Sequence, residues 1–158
     1  MKIKVGQGYD VHQLVEERPF WLGGIKIAEN FGALGHSDAD VLIHAICDAL
    51  LGAANLRDIG FHFSNTNPKY KDVDSKVLLA EVAKLVRNEG YEISNIDSTI
   101  VLEIPKVNPH IDEMKKVLSS VLQIPIEDIS IKATTSETIG FVGRREGVEA
   151  YAVVLIYK

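Results

Sequence analysis

The sequence predicts an α+β fold: a mixed β-sheet covered by helices on one face, with the other face packed against neighbouring subunits. Three observations lead there. Period-two alternation is clear in one stretch, where Ile96, Ser98, Ile100, Leu102 and Ile104 interleave with Thr99, Val101 and Glu103. Three other stretches repeat apolar residues at helical spacing, and the elements run in the order β-β-α-α-β-α-β-β. Finally, 46% of the 158 residues are hydrophobic, and a sheet shielded on one face leaves the other for a further copy, so a homo-oligomer is expected.

Each element has a local reason. Ile3 and Val5 begin a strand. Trp21, Leu22, Ile25 and Ile27 flank Gly23-Gly24, and paired glycines accept the positive φ of a hairpin turn. Ser37 and Asp38 are the expected caps of a helix from about Asp38 to Ala54, with Val41, Leu42, Ala45, Ile46, Ala49, Leu50 and Ala53 as its apolar stripe. A second helix runs from Asp74 or Ser75 to Glu89, with Val77, Leu78, Val82, Leu85 and Val86 inward and Gly90 as its stop. Asn108 and Pro109 open a third, carrying Ile111, Met114, Leu118, Val121 and Leu122 and ending before Pro125. Ile129, Ile131 and Ala133 form a strand, and Val148 to Tyr157 a last one rich in β-branched and aromatic residues.

Composition excludes several classes. The length and the absence of linkers or repeats predict one domain over residues 1–158. No apolar run approaches the roughly 20 residues of a membrane span. The amino terminus, MKIKVGQGYD, has no signal-peptide pattern, so a cytoplasmic location is expected. A single cysteine, Cys47, excludes an internal disulfide, and a net charge of −5 lacks the basic face that nucleic acid requires.

Chemistry first gathers at Asp10, His12 and His44. Residues i and i+2 of a strand share a face, so Asp10 and His12 can converge on one ion, to which a helix can deliver His44. One oxygen and two nitrogens suit zinc and leave a fourth position open to substrate, as in catalytic sites. Asp40, His44 and Asp48 share the helix face opposite the stripe, so Asp40 or Asp48 is the expected carboxylate behind the imidazole. The alternative is a chance D-x-H and a solvated polar face. His62 and His110 lack close partners and read as packing residues.

Polar and glycine residues also cluster in four loops: GHSDAD (35–40), RDIGFHFSNTN (57–67), EIPKVNPH (103–110) and KATTSETIGFVGRREG (132–147). In the last, Thr134, Thr135 and Ser136 offer hydroxyls and Glu137 a hard carboxylate, a combination fitting phosphate with magnesium. TTSE is equally a helix capping box. Lys132 is either a local charge for that site or a solvated strand lysine.

GYDVH at 8–12, GHSDADV followed by His44, DALLGAANLRDIG at 48–60, PKVNPHI at 105–111 and KATTSETIGFVGRREG, in that order, resemble the 2-C-methyl-D-erythritol 2,4-cyclodiphosphate synthase family across nearly the whole chain. The resemblance implies a homotrimer with active sites between subunits and zinc held by Asp10, His12 and His44. It implies cyclisation of 4-diphosphocytidyl-2-C-methyl-D-erythritol 2-phosphate with release of CMP, in the non-mevalonate isoprenoid pathway. His36 and Ser37 would hold the methylerythritol phosphate, Thr135 would assist the transition state, and Glu137 would bind a second ion, Mg2+ or Mn2+, with the diphosphate. Asp58, Ile59, Gly60, Phe63, Ser64, Asn65, Thr66 and Asn67 would enclose the sugar-like portion. Leu102, Glu103, Ile104, Pro105, Lys106, Val107, Asn108 and Thr134 would form the neighbour's cytidine pocket. Ser136 and Phe141 would also touch substrate, as would Arg144, which with Glu146 resembles a pair near the trimer axis where isoprenoid diphosphates bind.

Three departures from the family pattern stand out. Ser64, Asn65 and Asn67 replace a proline and two aspartates, so contacts there become neutral. Arg145 stands where glycine is common and adds charge beside the axial cavity. Ala39 also replaces a frequent glycine, a benign change if the position is helical.

Overall fold

The computed structural model describes all of residues 1–158. In chain order the elements are β1 (Ile3–Glu16), β2 (Phe20–Leu22), β3 (Ile25–Ala28), β4 (Phe31–Ala33), α1 (Val41–Ala54), α2 (Ile59–His62), α3 (Ser75–Asn88), β5 (Glu92–Val101), α4 (Ile111–Leu122), β6 (Ile129–Thr134), α5 (Gly140–Gly143) and β7 (Gly147–Tyr157). Single 3-10 turns occupy Pro68–Tyr70, Asn108–His110 and Ile126–Asp128. The main sheet has the order β4-β1-β7-β5-β6, and β2-β3 is a separate hairpin. Only β5 and β6 pair in parallel; β1–β7, β5–β7 and β1–β4 are antiparallel. The sheet is therefore mixed, as expected, while β1 runs well beyond the Ile3 and Val5 start that alternation marks, and the three-residue β4 is too short to carry a pattern of its own. No helix is long and apolar enough to cross a membrane.

Helix α1 lies directly on β1 and β7, α3 packs on α1, and α4 joins α3 to β6. The approach of α1 to β1 is close for an identifiable reason. A Cβ on Gly6 would stand 1.9 Å from the Ala49 carbonyl oxygen, and one on Gly8 1.9 Å from that of Ala45. Glycines on the strand and alanines at i, i+4 and i+8 of the helix let the two backbones touch. Leu42, Ile43, Ile46, Leu50 and Leu51 are then fully buried, each contributing about 1.5–3 kcal/mol relative to exposure. Helix α1 is consequently enclosed on nearly every side, which corrects the expectation of a polar outer face.

Other corrections are local. The cap of α1 is Asp40 rather than Ser37 or Asp38. Its Oδ1 accepts from the Ile43 N–H at 3.1 Å, and its carboxylate also accepts from Gly23 N–H (3.0 Å) and Gly24 N–H (2.7 Å). Those glycines take φ of 61° and 81° in the β2–β3 turn, so one buried aspartate ties the hairpin to the helix start. Helix α3 is capped by Asp74, but Val77 points outward, 55% exposed. Ala39 has φ 58° and precedes the helix; it is left-handed, so its methyl carries a steric cost that glycine avoids. Arg145, at φ 62°, likewise sits where the backbone favours glycine.

On the sheet face away from α1, Val5, Tyr9, Val11, Tyr151, Val153 and Tyr157 are exposed. This apolar face has no cover within the chain. Lys132 also points away from the helices and pairs with Asp97, leaving it as a solvated strand lysine.

Candidate metal centre and substrate cleft

The pleat of β1 places Lys4, Gly6, Gly8, Asp10, His12 and Leu14 on the helix-facing side. After the two glycines have admitted α1, Asp10 and His12 are the next side chains on that side, and His44, in the first turn of α1, reaches them. Asp10 Oδ2 lies 2.9 Å from His12 Nε2 and 3.0 Å from His44 Nδ1. The two imidazole nitrogens are 3.2 Å apart. These are the only three acidic, histidine or cysteine ligands that converge in this way, and the arrangement is a site for a divalent metal ion.

Each imidazole is held from behind. The Leu34 carbonyl lies 3.0 Å from His12 Nδ1 and can only accept, so Nδ1 donates and the Nε2 lone pair faces the site. His44 Nε2 meets Ser75 Oγ at 2.9 Å and Ser37 Oγ at 3.2 Å. Neither Asp40 nor Asp48 backs it, correcting the sequence expectation: Asp40 is occupied by backbone N–H groups, and Asp48 Oδ1 accepts from the Ile59 N–H at 2.8 Å. The true partner, Ser75, lies 31 residues on, at the start of a different helix, and leaves no periodic signal.

Charge is concentrated here. Burial raises the Asp10 pKa, but hydrogen bonds and positive charge from His12 and His44 outweigh it and bring it down to about 2. For His44, burial opposes the charged form, yet the adjacent Asp10 carboxylate, with Asp40 and Asp38 farther off, lifts its pKa above the ordinary value. A shared cation would replace that proton. Burial also raises the pKa of Asp48, against the Ile59 N–H that lowers it.

The triad forms one wall of a cleft of ≈ 290 Å³, also lined by His36, Ser37, Ile59, Gly60, Phe63, Asn65, Tyr70, Val73 and Leu78. Of the expected substrate-contacting loop, Ile59, Gly60, Phe63 and Asn65 are thus brought to the metal donors. Asp58 instead caps α2 through the Phe61 N–H, Ser64 bonds Thr66, and Asn67 accepts from the Lys69 N–H. Tyr70, Val73 and Leu78 were missed, because they join the cleft only through tertiary packing.

The remaining predicted residues gather elsewhere. Leu102, Glu103, Lys106, Val107, Asn108, Ala133, Thr134 and Thr135 line a second cleft of ≈ 190 Å³ that shares no residue with the first. Ile104 and Pro105 stand in the same loop, joined by a cis peptide bond. Glu103 Oε1 accepts from both the N–H and the hydroxyl of Ser136, fastening the two loops together. Thr135 Oγ1 donates to Glu137 Oε1 at 3.0 Å and accepts its N–H at 3.2 Å. This is a turn and not a capping box, since α5 begins only at Gly140, with no side-chain cap. Phe141 covers Gly147, and Arg144 forms a two-point ion pair with Glu146 at 2.9 and 3.1 Å. His62 Nε2–H donates to the Leu56 carbonyl at 2.7 Å, the loop-packing role expected of it.

A mixed sheet presenting an Asp-His-His donor set at an open cleft defines a metal-site protein of the enzymatic kind, with room for a ligand beside the ion. The sequence matches the YgbB family over residues 3–157, and the chain belongs to that family. It is 66% identical over 158 residues, covering 100% of this chain and 99% of the other, to the 2-C-methyl-D-erythritol 2,4-cyclodiphosphate synthase of Cytophaga hutchinsonii. It is 63% identical to the enzyme of that name from Parabacteroides distasonis, covering 100% and 98%. A solved structure of a 2C-methyl-D-erythritol-2,4-cyclodiphosphate synthase in a CDP-bound form superimposes with a TM-score of 0.90 at 37% identity, covering 98% of this chain and 100% of that one.

Proposed function

We propose that this chain is a phosphorus–oxygen lyase that converts 4-diphosphocytidyl-2-C-methyl-D-erythritol 2-phosphate to 2-C-methyl-D-erythritol 2,4-cyclodiphosphate and CMP. The observation that carries the reading is the convergence of Asp10, His12 and His44 within 3.2 Å of one another at the wall of an open cleft. Tetrahedral zinc with ligands at about 2.0–2.1 Å has ligand–ligand edges of about 3.3 Å, so the donor spacing and the donor types fit zinc. Glu137 offers a single exposed carboxylate, enough for Mg2+ or Mn2+ when a diphosphate completes the shell.

The chemistry asks for little more. The nucleophile is the substrate's own 2-phosphate, already ionised, attacking the β-phosphorus as CMP departs; no general base or covalent intermediate is needed. Zinc, with the second ion, would supply Lewis-acid neutralisation of charge on the phosphoryl oxygens. His36 and Ser37, which line the first cleft, hold the methylerythritol phosphate, and Ile59, Gly60, Phe63 and Asn65 enclose its carbon skeleton and keep water out. Leu102 to Asn108, with Lys106, and Thr134 hold the cytidine end; the CDP-bound relative supports a cytidine ligand. Thr135 Oγ1, which donates to Glu137 Oε1 in the free chain, would turn that hydrogen bond to the transferring group once Glu137 takes the second ion. Fixing both ends of one molecule removes several kcal/mol of entropic barrier.

These two groups of residues line separate clefts of one chain, which supports an active site completed by a neighbour in a homotrimer. The bare apolar sheet face supplies the contact surface. Arg144 and Glu146 then stand near the axis, beside a position for an isoprenoid diphosphate.

Phosphorus NMR of the purified protein with the cytidyl substrate and magnesium tests the reading: CMP and a cyclic diphosphate are expected to appear together. Solvent oxygen-18 entering either product would instead mark a phosphohydrolase and overturn it.

A further inference from the structure

Ser75 is the first residue of α3 and is fully buried. Its hydroxyl oxygen lies between two groups: the Asp38 carboxylate, to which it donates at 2.5 Å, and His44 Nε2 at 2.9 Å. Asp38 is doubly committed to this residue, because its other oxygen accepts the Ser75 backbone N–H at 2.8 Å.

Proton counting decides the direction of the chain. A carboxylate accepts only, and a serine hydroxyl has one proton to give. With that proton spent on Asp38, Ser75 Oγ must accept from His44. The His44 Nε2 then carries a hydrogen, and the lone pair of Nδ1 is left facing Asp10 and His12. Ser37 Oγ, 3.2 Å from the same nitrogen, is the weaker contact and already accepts the Ala39 N–H.

We infer that Asp38 and Ser75 form a relay, carboxylate to hydroxyl to imidazole, that fixes the His44 tautomer and ring plane for metal binding through Nδ1. Ser75 is a positioning residue: it touches the ligand and not the ion. The two histidines thus present opposite nitrogens, His12 through Nε2 with a carbonyl behind it and His44 through Nδ1 with a serine-relayed carboxylate behind it. A hydroxyl inserted between carboxylate and imidazole lets Asp38 serve a helix N-terminus and a metal ligand together, joining the start of α3 to the site. Partners of this kind typically set metal affinity by about 10–100-fold.

The inference rests on the zinc reading, and the test separates the two. Zinc affinity of the whole protein is measured by competition with a chromophoric chelator, and the His44 Nε2–H proton is followed by NMR in the zinc-loaded protein. Wild type is expected to bind zinc and to show a slowly exchanging, downfield Nε2–H resonance. Ser75→Ala is expected to lose about 10–100-fold in affinity and to lose the protected resonance, and Ser75→Thr, which keeps the hydroxyl, to recover both. Asp38→Asn, which keeps an oxygen for the Ser75 N–H, is expected to shift both readouts in the same direction and serves if Ser75→Ala does not fold. Zinc binding by wild type with unchanged affinity and resonance in these variants overturns the relay alone. Failure of wild type to bind zinc overturns the metal reading itself.

Discussion

His44 Nδ1 and Asp10 Oδ2 stand 3.0 Å apart because the α1 backbone rests on Gly6 and Gly8 of β1, with the Ala45 carbonyl where a Gly8 side chain would be. The site is thus a consequence of a helix–strand contact two residues away.

Without metal, this pair makes stability depend on pH in both directions. Asp10 is lowered from 3.8 to about 2 in the fold, so its contribution, on the order of 2 kcal/mol, is present above about pH 4 and lost as pH falls toward 2. His44 is raised above 6.5, so its contribution is complete below pH 6.5 and lost as pH climbs through the raised value. Urea midpoints of chelator-treated protein are expected to be higher at pH 5.5 than at pH 8.5, and zinc to reverse that order by replacing the proton. A His44→Gln variant showing the same difference would refute the assignment.

Removing a metal ligand at the rim should abolish chemistry and spare the fold. His12→Ala is expected to lower CMP release by on the order of 10³-fold or more, the equivalent of several kcal/mol of charge stabilisation. Circular dichroism should be unchanged, and zinc content by elemental analysis should fall below one ion per chain.

Gly8→Ala puts a methyl group into the α1 backbone, 1.9 Å from an oxygen. Neither backbone can yield without separating helix from sheet. A loss of about 3 kcal/mol or more is expected, at the upper end for overpacking, read as a lower urea midpoint; a loss under 1 kcal/mol would show that the contact is not tight.

Asp40→Ala leaves three N–H groups, of Gly23, Gly24 and Ile43, without their acceptor. Each buried orphan costs about 1–3 kcal/mol, so a loss of at least about 3 kcal/mol is expected in thermal or urea unfolding. Asp40→Asn should recover part of it, having one acceptor oxygen.

The two clefts predict that activity needs assembly. Val153→Asp, on the bare sheet face where Val153 is 45% exposed, is expected to shift the proposed trimer to monomer in light scattering. Turnover should fall by at least about 10²-fold, since cleft halves on separate molecules no longer position one substrate. A fully active monomer would contradict the shared site.

The sequence alone determined the parts whose signals are local. The alternation around Ile100 and the apolar spacing of α3 and α4 reflect which faces meet water, and Gly23-Gly24 a backbone that only glycine adopts freely, so these elements were legible without neighbours. Asp10 and His12 were legible as a pair because strand geometry alone puts i and i+2 on one face. Motif order supplied the family, a match of whole segments and not of physics. What only the tertiary structure decided is what backs each group and what surrounds α1. The polar face inferred for that helix does not exist, because Asp40 turns into the hairpin, Asp48 into the start of α2, and His44 toward β1 and Ser75. These hydrogen-bond partners, Gly23, Ile59 and Ser75, are chosen by proximity after packing and lie 11 to 31 positions away, and no periodicity records that choice. The left-handed Ala39 was hidden for the same reason: its φ of 58° belongs to a fully buried residue just before the Asp40 cap, a conformation that tertiary packing and not residue type selects.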